Sequence, residues 1–282
     1  MKSLCIKSNN INFLDYLLCE FKNINIDNVC FSCNEFKNYK NIIIHYKGFN
    51  EQTFISCISE ILSNLVIDEF EENLIKKYIF HNHFYFNNFE QEKIFNLCFE
   101  TSLSYYYEKH KCLFDIFYKY LSKNKNIILS GFINFRLKDY YSIIEDIVDE
   151  SVNQYIVEKE YSEFISLLKL YISSQPSNNA VVHLIHLDNY SLLLDENKNV
   201  ININDDIFTA KYLSDISFSS NDYILNSLLN LLPNKIYIHL INDTIDEFIN
   251  TLQLVFENRI SLCSDCNICN LYKSINKASL HK

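Results

Sequence analysis

The spacing of apolar residues changes along this chain, and the change constrains the fold more than any single motif. Across residues 52–171 the apolar side chains recur mainly every three or four positions, with breaks near 81–88 and 122–131, as in amphipathic helices. Residues 173–179, Ser-Ser-Gln-Pro-Ser-Asn-Asn, form a turn-rich stretch that ends this region. Beyond it the pattern alternates, which is typical of β-strands. A helical layer followed by a sheet is therefore predicted.

Both ends of the chain mix helical and alternating patterns. Residues 12–21 carry a helical pattern. Three apolar runs around it predict strands, at 4–6, 24–31 and 42–46. Beyond the turn-rich stretch, four further strands are predicted, at 180–187, 191–194, 200–203 and 235–241. Two helices complete this part, one at 221–231 and a last one in which Thr244 and Glu247 fit a capping box.

We therefore expect an α/β protein of the mixed α+β class. Its predicted parts are a small N-terminal α/β segment, a helical middle and a C-terminal mixed sheet with two flanking helices. The corresponding domain boundaries are 1–50, 51–175, 176–262 and a cysteine-containing tail at 263–282. With 282 residues, of which 48% are hydrophobic, the chain can bury a large core without disulfides.

The charge and the cysteine content narrow the class of function. A formal net charge of −10 argues against binding to phosphate backbones or anionic membranes, because such binding draws on Lys and Arg. No stretch approaches the roughly 20 apolar residues that span a bilayer, and the first ten residues lack a signal-peptide pattern. We expect a cytoplasmic protein with ten reduced thiols, and neither nucleic acid nor membrane among its partners.

Three cysteines near the C-terminus carry the most specific chemical signal. Cys263, Cys266 and Cys269 have two residues between successive thiols, a spacing at which one short loop can wrap several sulfurs around a soft metal ion. Two structures remain open for this segment: a loop, favoured by the Ser, Asp and Asn residues among the thiols, or a helix that continues past Arg259. For the loop we expect a metal site with zinc as its candidate cofactor, and no other cofactor.

Three thiolates are one ligand short of a closed zinc site. His281 could supply the fourth ligand, and Cys30 with Cys33 could add thiols from a distant part of the chain. If residues 24–33 form a strand, however, these two thiols point to opposite faces. An iron–sulfur cluster fits less well, because the ferredoxin pattern needs a fourth cysteine where Lys273 stands.

Histidines in the predicted sheet are weaker site candidates. His183 and His186 lie on one alternating segment and therefore point to opposite faces. His239 lies on the strand before the last helix and would meet His186 if their strands are neighbours. Ordinary polar packing is the simpler account of each of these side chains.

One block concentrates the residue types that are rare in this chain. It reads Gly-Phe-Ile-Asn-Phe-Arg-Leu-Lys-Asp-Tyr-Tyr at 131–141 and continues to about residue 172, with one of two Gly and one of two Arg. Together with the strand at 233–240 and the cysteine-bearing end, this block resembles the YtxC-like family of sporulation proteins of endospore-forming Gram-positive bacteria. The resemblance implies a role in sporulation but no assigned activity, so it assigns no catalytic residue.

The same block contains the candidate partner-binding residues. Arg136 lies at the start of a predicted helical stripe, and its guanidinium can clamp a carboxylate such as Asp139 or Glu145. A structural ion pair is the plain interpretation, whereas contact with an anion or a partner protein requires Arg136 to be exposed. Glu145 and Asp149 share one helix face, where an acidic surface that selects a basic partner explains them better than a hard-metal site.

Two functions follow from these observations. We favour an interaction or regulatory protein that acts in sporulation through an unidentified protein partner. The alternative is a metal- or thiol-dependent enzyme that uses the three C-terminal cysteines, with His186 or His239 as proton carriers. It is the less favoured, because the sequence has no Gly-rich phosphate loop, nucleophile elbow or zinc-protease motif. The oligomeric state stays open.

Overall fold

Two units make up the chain, and each has its own mixed β-sheet. The computed structural model describes residues 2–23, 27–36, 39–176, 178–187, 191–201 and 219–279. The first unit is Met1–Glu158 and the second is Lys159–Lys282. Their boundary falls within a helix of 37 residues, Lys138–Ser174. The fold is of the mixed α+β class, as predicted.

The sheet of the first unit has the described strand order β2-β3-β1-β4. Its strands are β1 (Lys2–Ser8), β2 (Val29–Glu35), β3 (Lys40–Tyr46) and β4 (Asn126–Ile128). β1 pairs antiparallel with β3 and parallel with β4, and β2 pairs antiparallel with β3. The parallel pairing brings residues 126–128, from within the predicted helical middle, back beside the N-terminal strand.

Most of the first unit is helical, and asparagine side chains define several helix starts. The described helices are α1 (Ile11–Lys22), α2 (Glu51–Glu69), α3 (Glu71–Asn82), α4 (Asn88–Ser104), α5 (Tyr106–Lys123), α6 (Leu129–Arg136) and α7 (Lys138–Ser174). Asn10, Asn50 and Asn87 each accept a hydrogen bond from a backbone N–H in the first turn of α1, α2 and α4. These caps satisfy donors that a helix leaves free at its start.

The core of the first unit joins the sheet to the helices. α2 buries Phe54, Ile58 and Leu62 on one stripe, because residues four apart lie on the same face of a helix. The buried residues of α5 include Leu113 and Phe117, which belong to the same core. The alternating buried residues of β1 and β3 complete it, so the helical middle and the N-terminal strands form one hydrophobic interior.

A buried polar network lies inside this core. The Glu71 carboxylate on α3 accepts hydrogen bonds from Ser102 of α4, Lys109 of α5 and Tyr140 of α7. Lys109 is 2% exposed and Tyr140 is 0% exposed. A buried charge is costly unless it is paired and hydrogen-bonded, so the network favours one relative register of these four helices.

The sheet of the second unit has the described order β6-β5-β7-β8. Its strands are β5 (Asn178–His186), β6 (Ser191–Leu194), β7 (Pro233–Leu240) and β8 (Ile260–Cys263). β5 pairs antiparallel with β6 and parallel with β7, and β7 pairs parallel with β8. The carboxyl ends of β5, β7 and β8 therefore lie at the same edge of the sheet.

Helices contribute to two apolar clusters in the second unit. The described ones are α8 (Ser220–Leu231), α9 (Glu247–Phe256) and α10 (Asn267–Ser279). Buried residues of α8 and α9, with Ile165 and Ile172 of α7, form one cluster with Leu184 and Ile238 of the sheet. Residues of α10 join a second cluster with Ile185 and Ile241. Because neighbouring residues of a strand point to opposite sides, the sheet separates the two clusters.

Several predicted boundaries in this fold are wrong. β2 ends at Glu35 and not at 31, and it begins after Asn28, whose φ of 64° marks a left-handed turn. The cap of α9 is Asp246, which accepts from the Ile249 N–H, and not Thr244. The predicted hairpin strand at 200–203 is a single bridge between Val200 and Leu194, and 202–203 lie outside the described residues.

The cysteine-bearing segment is neither a plain loop nor a continuation of the preceding helix. α9 ends at Phe256, a short 3₁₀ turn follows, and the chain then forms β8, a bend and α10.

Among the helices of the described residues, none has the length and apolarity needed to cross a bilayer.

The buried network of the first unit leads to a stability prediction. We expect Lys109→Met to lower the free energy of unfolding by about 3–5 kcal/mol, because it leaves the buried Glu71 carboxylate without its cation. Urea unfolding followed by circular dichroism measures the change. The control is Lys76→Met, which breaks an exposed pair with Glu72 and should cost under about 1 kcal/mol. Equal losses in both variants would contradict the prediction.

Candidate metal centre

Two neighbouring parallel strands place a histidine beside a cysteine. His239 is the penultimate residue of β7, and Cys263 is the last residue of β8. The two residues are direct partners in the register of these strands. Side chains at paired positions project to the same face of a sheet, so the imidazole and the thiol meet at its carboxyl edge. This edge is where open α/β sheets commonly bind ligands.

The start of α10 adds the other two thiols. Cys266 directly precedes α10, and Cys269 is the third residue of that helix. The Cys269 backbone N–H donates to Cys266 Sγ at 3.5 Å, so the sulfur occupies the position of a helix cap. The positive end of the helix favours the anionic form of this sulfur. The bend between β8 and α10 thus folds the segment back onto the sheet edge.

The four ligand atoms converge on one point. Cys266 Sγ and Cys269 Sγ each lie 3.3 Å from His239 Nδ1. Cys269 Sγ lies 3.6 Å from Cys266 Sγ and 3.8 Å from Cys263 Sγ. All four atoms lie within 4.8 Å of one another, and we call this group the four-ligand cluster.

These separations fit a single tetrahedral metal ion. Bonds of about 2.3 Å to sulfur and about 2.0 Å to nitrogen place neighbouring tetrahedral ligands about 3.5–3.8 Å apart. The four separations given above, 3.3 to 3.8 Å, are close to this range. The cluster could therefore hold a metal ion with little rearrangement of its ligands.

The surroundings of the cluster set the protonation of its ligands. Burial lowers the pKa of His239 to about 4, with a further contribution from His183, so the imidazole is neutral near pH 7. For the Cys266 thiol, burial alone would raise the pKa. Hydrogen bonds from Cys269 and Cys263 outweigh burial, so the pKa of Cys266 lies below its usual value. Burial raises the pKa of Cys269. Cys266 is thus the thiol best prepared to become a thiolate ligand.

A second histidine orients the first. His183 Nδ1 lies 3.0 Å from His239 Nε2, on the side of the imidazole away from the sulfurs. Coordination through Nδ1 leaves the proton on Nε2, which can then be donated to His183. The His183 ring stacks on Tyr237 with centroids 5.2 Å apart, which holds it in place. His183 is therefore a positioning residue for the His239 ligand.

His186, the predicted neighbour of His239, does not belong to the site. His239 meets His183 and not His186, because the strand register pairs His239 with Ile185. His186 lies on the opposite face, where it contacts Ser191 and Asp246. Both ring nitrogens of the buried His186 therefore have a polar partner.

The remaining ligand candidates do not join the cluster as far as the described residues extend. Cys30 and Cys33 lie on β2 of the first unit, where both are exposed. His281 lies outside the described residues. Lys273, which stands where a ferredoxin would have its fourth cysteine, donates to Asp243 and to the Ser264 carbonyl. It ties α10 to the loop after β7 and to the thiol-bearing bend.

The candidate partner-binding residues lie at the surface of the first unit. Arg136, Asp139, Glu145 and Asp149 are all exposed. The Arg136 guanidinium lies 6.0 Å from the Tyr120 ring centroid, and no carboxylate of the described chain pairs with it. Asp149 accepts from His83 Nε2 at 3.2 Å. Arg136 therefore satisfies the exposure that contact with a partner requires.

The fold and the cluster define a mixed α+β protein with a four-ligand site that can hold a metal ion. The chain belongs to the YtxC-like family, whose model matches residues 56–261. It is also similar to "Uncharacterized protein YtxC" of Bacillus subtilis (strain 168), with 23% identity over 139 residues. This match covers 48% of the chain and 47% of the relative, so the chain spans about half the length of the curated relative it matches. No solved structure matches the chain.

The family match and the metal site overlap only in part. Residues 56–261 include His183 and His239 but end before the three cysteines. The case for the metal site therefore rests on the geometry of this chain.

The contact between the two histidines leads to a binding prediction. His183→Ala should weaken binding of a Co²⁺ probe by about 10–100-fold, because the His239 ring loses the group that orients it. The thiolate-to-Co²⁺ absorption band measures this affinity. His186→Ala, on the opposite face of the same strand, serves as the control and should bind Co²⁺ like the wild type. Unchanged affinity in the His183 variant would contradict a positioning role.

Proposed function

We propose that the four-ligand cluster is a structural zinc site and that the protein acts in sporulation by binding a protein partner. The observation that carries the metal assignment is the convergence of three Sγ atoms and one Nδ1 atom within 4.8 Å. Three thiolates and one imidazole are a common ligand set of structural zinc. An iron–sulfur cluster has less support, because its irons and sulfides need more room between the thiolates than 3.6 to 3.8 Å.

A structural role has more support than a catalytic one. Catalytic zinc sites have three protein ligands and leave the fourth position to water or substrate. Here four side chains of the chain would fill the coordination sphere. The alternative of a metal- or thiol-dependent enzyme has less support for the same reason, and because His186 lies on the other face of the sheet. Cys266, with its lowered pKa, is the residue on which such an enzyme would depend.

A zinc ion in this site would crosslink three elements. The ligands come from β7, β8 and the start of α10, so the ion would tie the C-terminal helix to the sheet. Few apolar contacts are available to do this alone, since the cluster of apolar residues beneath α10 is small. Binding energy of the metal would then contribute directly to the folding of this segment.

The biological part of the proposal rests on other observations. The resemblance to sporulation proteins noted in the sequence supports a role in sporulation, and the chain belongs to the family that carries this resemblance. A cytoplasmic location belongs to the same proposal, because zinc ligation by these cysteines needs reduced thiols, which the cytosol maintains. The exposed Arg136 and the acidic face of α7 support a protein partner.

Metal analysis tests the zinc site. Protein purified without an affinity tag should contain about one zinc ion per chain, since four protein ligands bind one ion. The variant with Cys263, Cys266 and Cys269 changed to Ser should contain none. Cys30→Ser with Cys33→Ser is the matched control and should keep its zinc. Inductively coupled plasma mass spectrometry measures the content. Wild-type protein that contains no zinc after expression in zinc-containing medium would refute the assignment.

Spore counts test the biological role. Deletion of the gene in its spore-forming host should lower the yield of heat-resistant spores and leave vegetative growth unchanged. The wild-type gene should restore the yield, and the triple Cys-to-Ser gene should restore less, because its product lacks the crosslink to α10. A normal spore yield after deletion would remove sporulation from the proposal.

A further inference from the structure

The first unit contains an open groove that the metal site does not explain. It has a volume of about 780 Å³ and runs between α3 and α7, with the end of α6 at one side. Its volume falls within the range of about 300–1,000 Å³ that ligand sites occupy. The groove is large enough to receive side chains of a partner.

Aromatic rings form much of the groove wall. Phe70 and Tyr78 line it from the side of α3, Tyr141 lines it from α7, and Phe135 lines it from α6. Phe135 is 76% exposed, which is unusual for a phenylalanine. Tyr141 is held in place because its hydroxyl donates to the Ile133 carbonyl at 2.8 Å. Ring faces of this kind attract cations as well as apolar groups.

Negative charge lies along one side of the groove. Glu145 is part of the lining, and Asp149 follows it one helical turn later on α7. Burial raises the pKa of Tyr78 and the carboxylates of Asp149, Glu145 and Asp146 raise it further, while a hydrogen bond with Asn82 opposes the shift. Lys77 is the cationic side chain opposite them, with His81 beside it. Glu145 and Lys77 balance each other within the lining, and additional negative charge comes from the exposed Asp146 and Asp149 beside it, the latter hydrogen-bonded to His83.

We propose that this groove binds a basic segment of a protein partner, with an Arg or Lys side chain of the segment directed at Glu145 and Asp149. Aromatic walls and carboxylates together fit a guanidinium or ammonium group, whose alkyl stem packs on the rings. The exposed Phe135 provides an apolar contact for a residue next to that cation. The partner's basic charge complements the net charge of −10 of this chain.

This inference rests on the protein-binding part of the proposed function and names the chemistry of the partner. It does not depend on zinc, because no residue of the groove belongs to the four-ligand cluster. The two proposals can therefore fail separately.

A fluorescent reporter tests the groove. The chain has no Trp, so Phe135→Trp places a single indole in the groove lining. The probe is a capped Leu-Arg-Leu-Arg-Leu peptide, and the matched probe carries Gln in place of each Arg. We expect a saturable change of Trp emission with the Arg peptide and binding at least about ten-fold weaker with the Gln peptide, a difference of about 1.4 kcal/mol. Calorimetry on the chain with its native Phe135 repeats the comparison.

Charge variants locate the binding. Glu145→Gln with Asp149→Asn should weaken binding of the Arg peptide about ten-fold, because the cation loses its carboxylate partners. The control is Asp115→Asn with Glu158→Gln, which makes the same change of charge outside the groove lining and should bind normally. Circular dichroism confirms that both variants are folded.

Three results would overturn the inference. Equal affinity for the Arg and Gln peptides would show that charge does not drive binding. Normal binding by the Glu145 and Asp149 variant would place the peptide elsewhere. Competition by free spermidine at the affinity of the peptide would assign the groove to small polyamines. The triple Cys-to-Ser variant should bind the Arg peptide like the wild type, which separates this result from any failure of the zinc site.

Discussion

The parallel pairing of β7 with β8 determines the geometry of the candidate metal site. It places His239 directly beside Cys263, at the edge of the sheet where both strands end. The chain then needs one bend to bring Cys266 and the start of α10 onto the same point, and Lys273 holds that arrangement through Asp243 and the Ser264 carbonyl. A shift of one residue in this pairing would turn one of the two ligands to the opposite face, because strand side chains alternate. The ligand geometry is thus a consequence of strand register.

The two units use buried polar groups in different ways. In the first unit, the Glu71 carboxylate is surrounded by donors from three other helices, so its charge is compensated inside the core. In the second unit, burial lowers the pKa of His239 and keeps it neutral, and its Nδ1 faces the thiols of Cys266 and Cys269. The first arrangement has no open ligand position and stabilises the fold. The second has the donor set and the spacing that a soft metal ion requires.

The first unit exposes carboxylates of α7 beside a groove lined by aromatic rings. Along α7 the apolar stripe is buried in the core, while Glu145 and Asp149 remain exposed on the other side. Exposed carboxylates alone indicate little more than solubility. Beside a groove lined by aromatic rings, they offer a cationic side chain both charge and ring faces. This combination is the basis of the proposed interaction with a basic partner, and the candidate metal site is proposed to stabilise the second unit.

Local patterns in the sequence were sufficient for the α+β class, because amphipathic spacing reflects how a helix or strand buries one side. They also identified the thiols of Cys263, Cys266 and Cys269, since ligands three residues apart can meet within one bend. They did not reveal β8, which has only four residues, or α10, because Asn267 and Asn270 are of a residue type that also favours loops. They left His239 as a weak candidate and suggested His186 as its neighbour. Only the tertiary structure decided that His239 completes the site with His183 behind it, because strand order and register arise from contacts between distant parts of the chain.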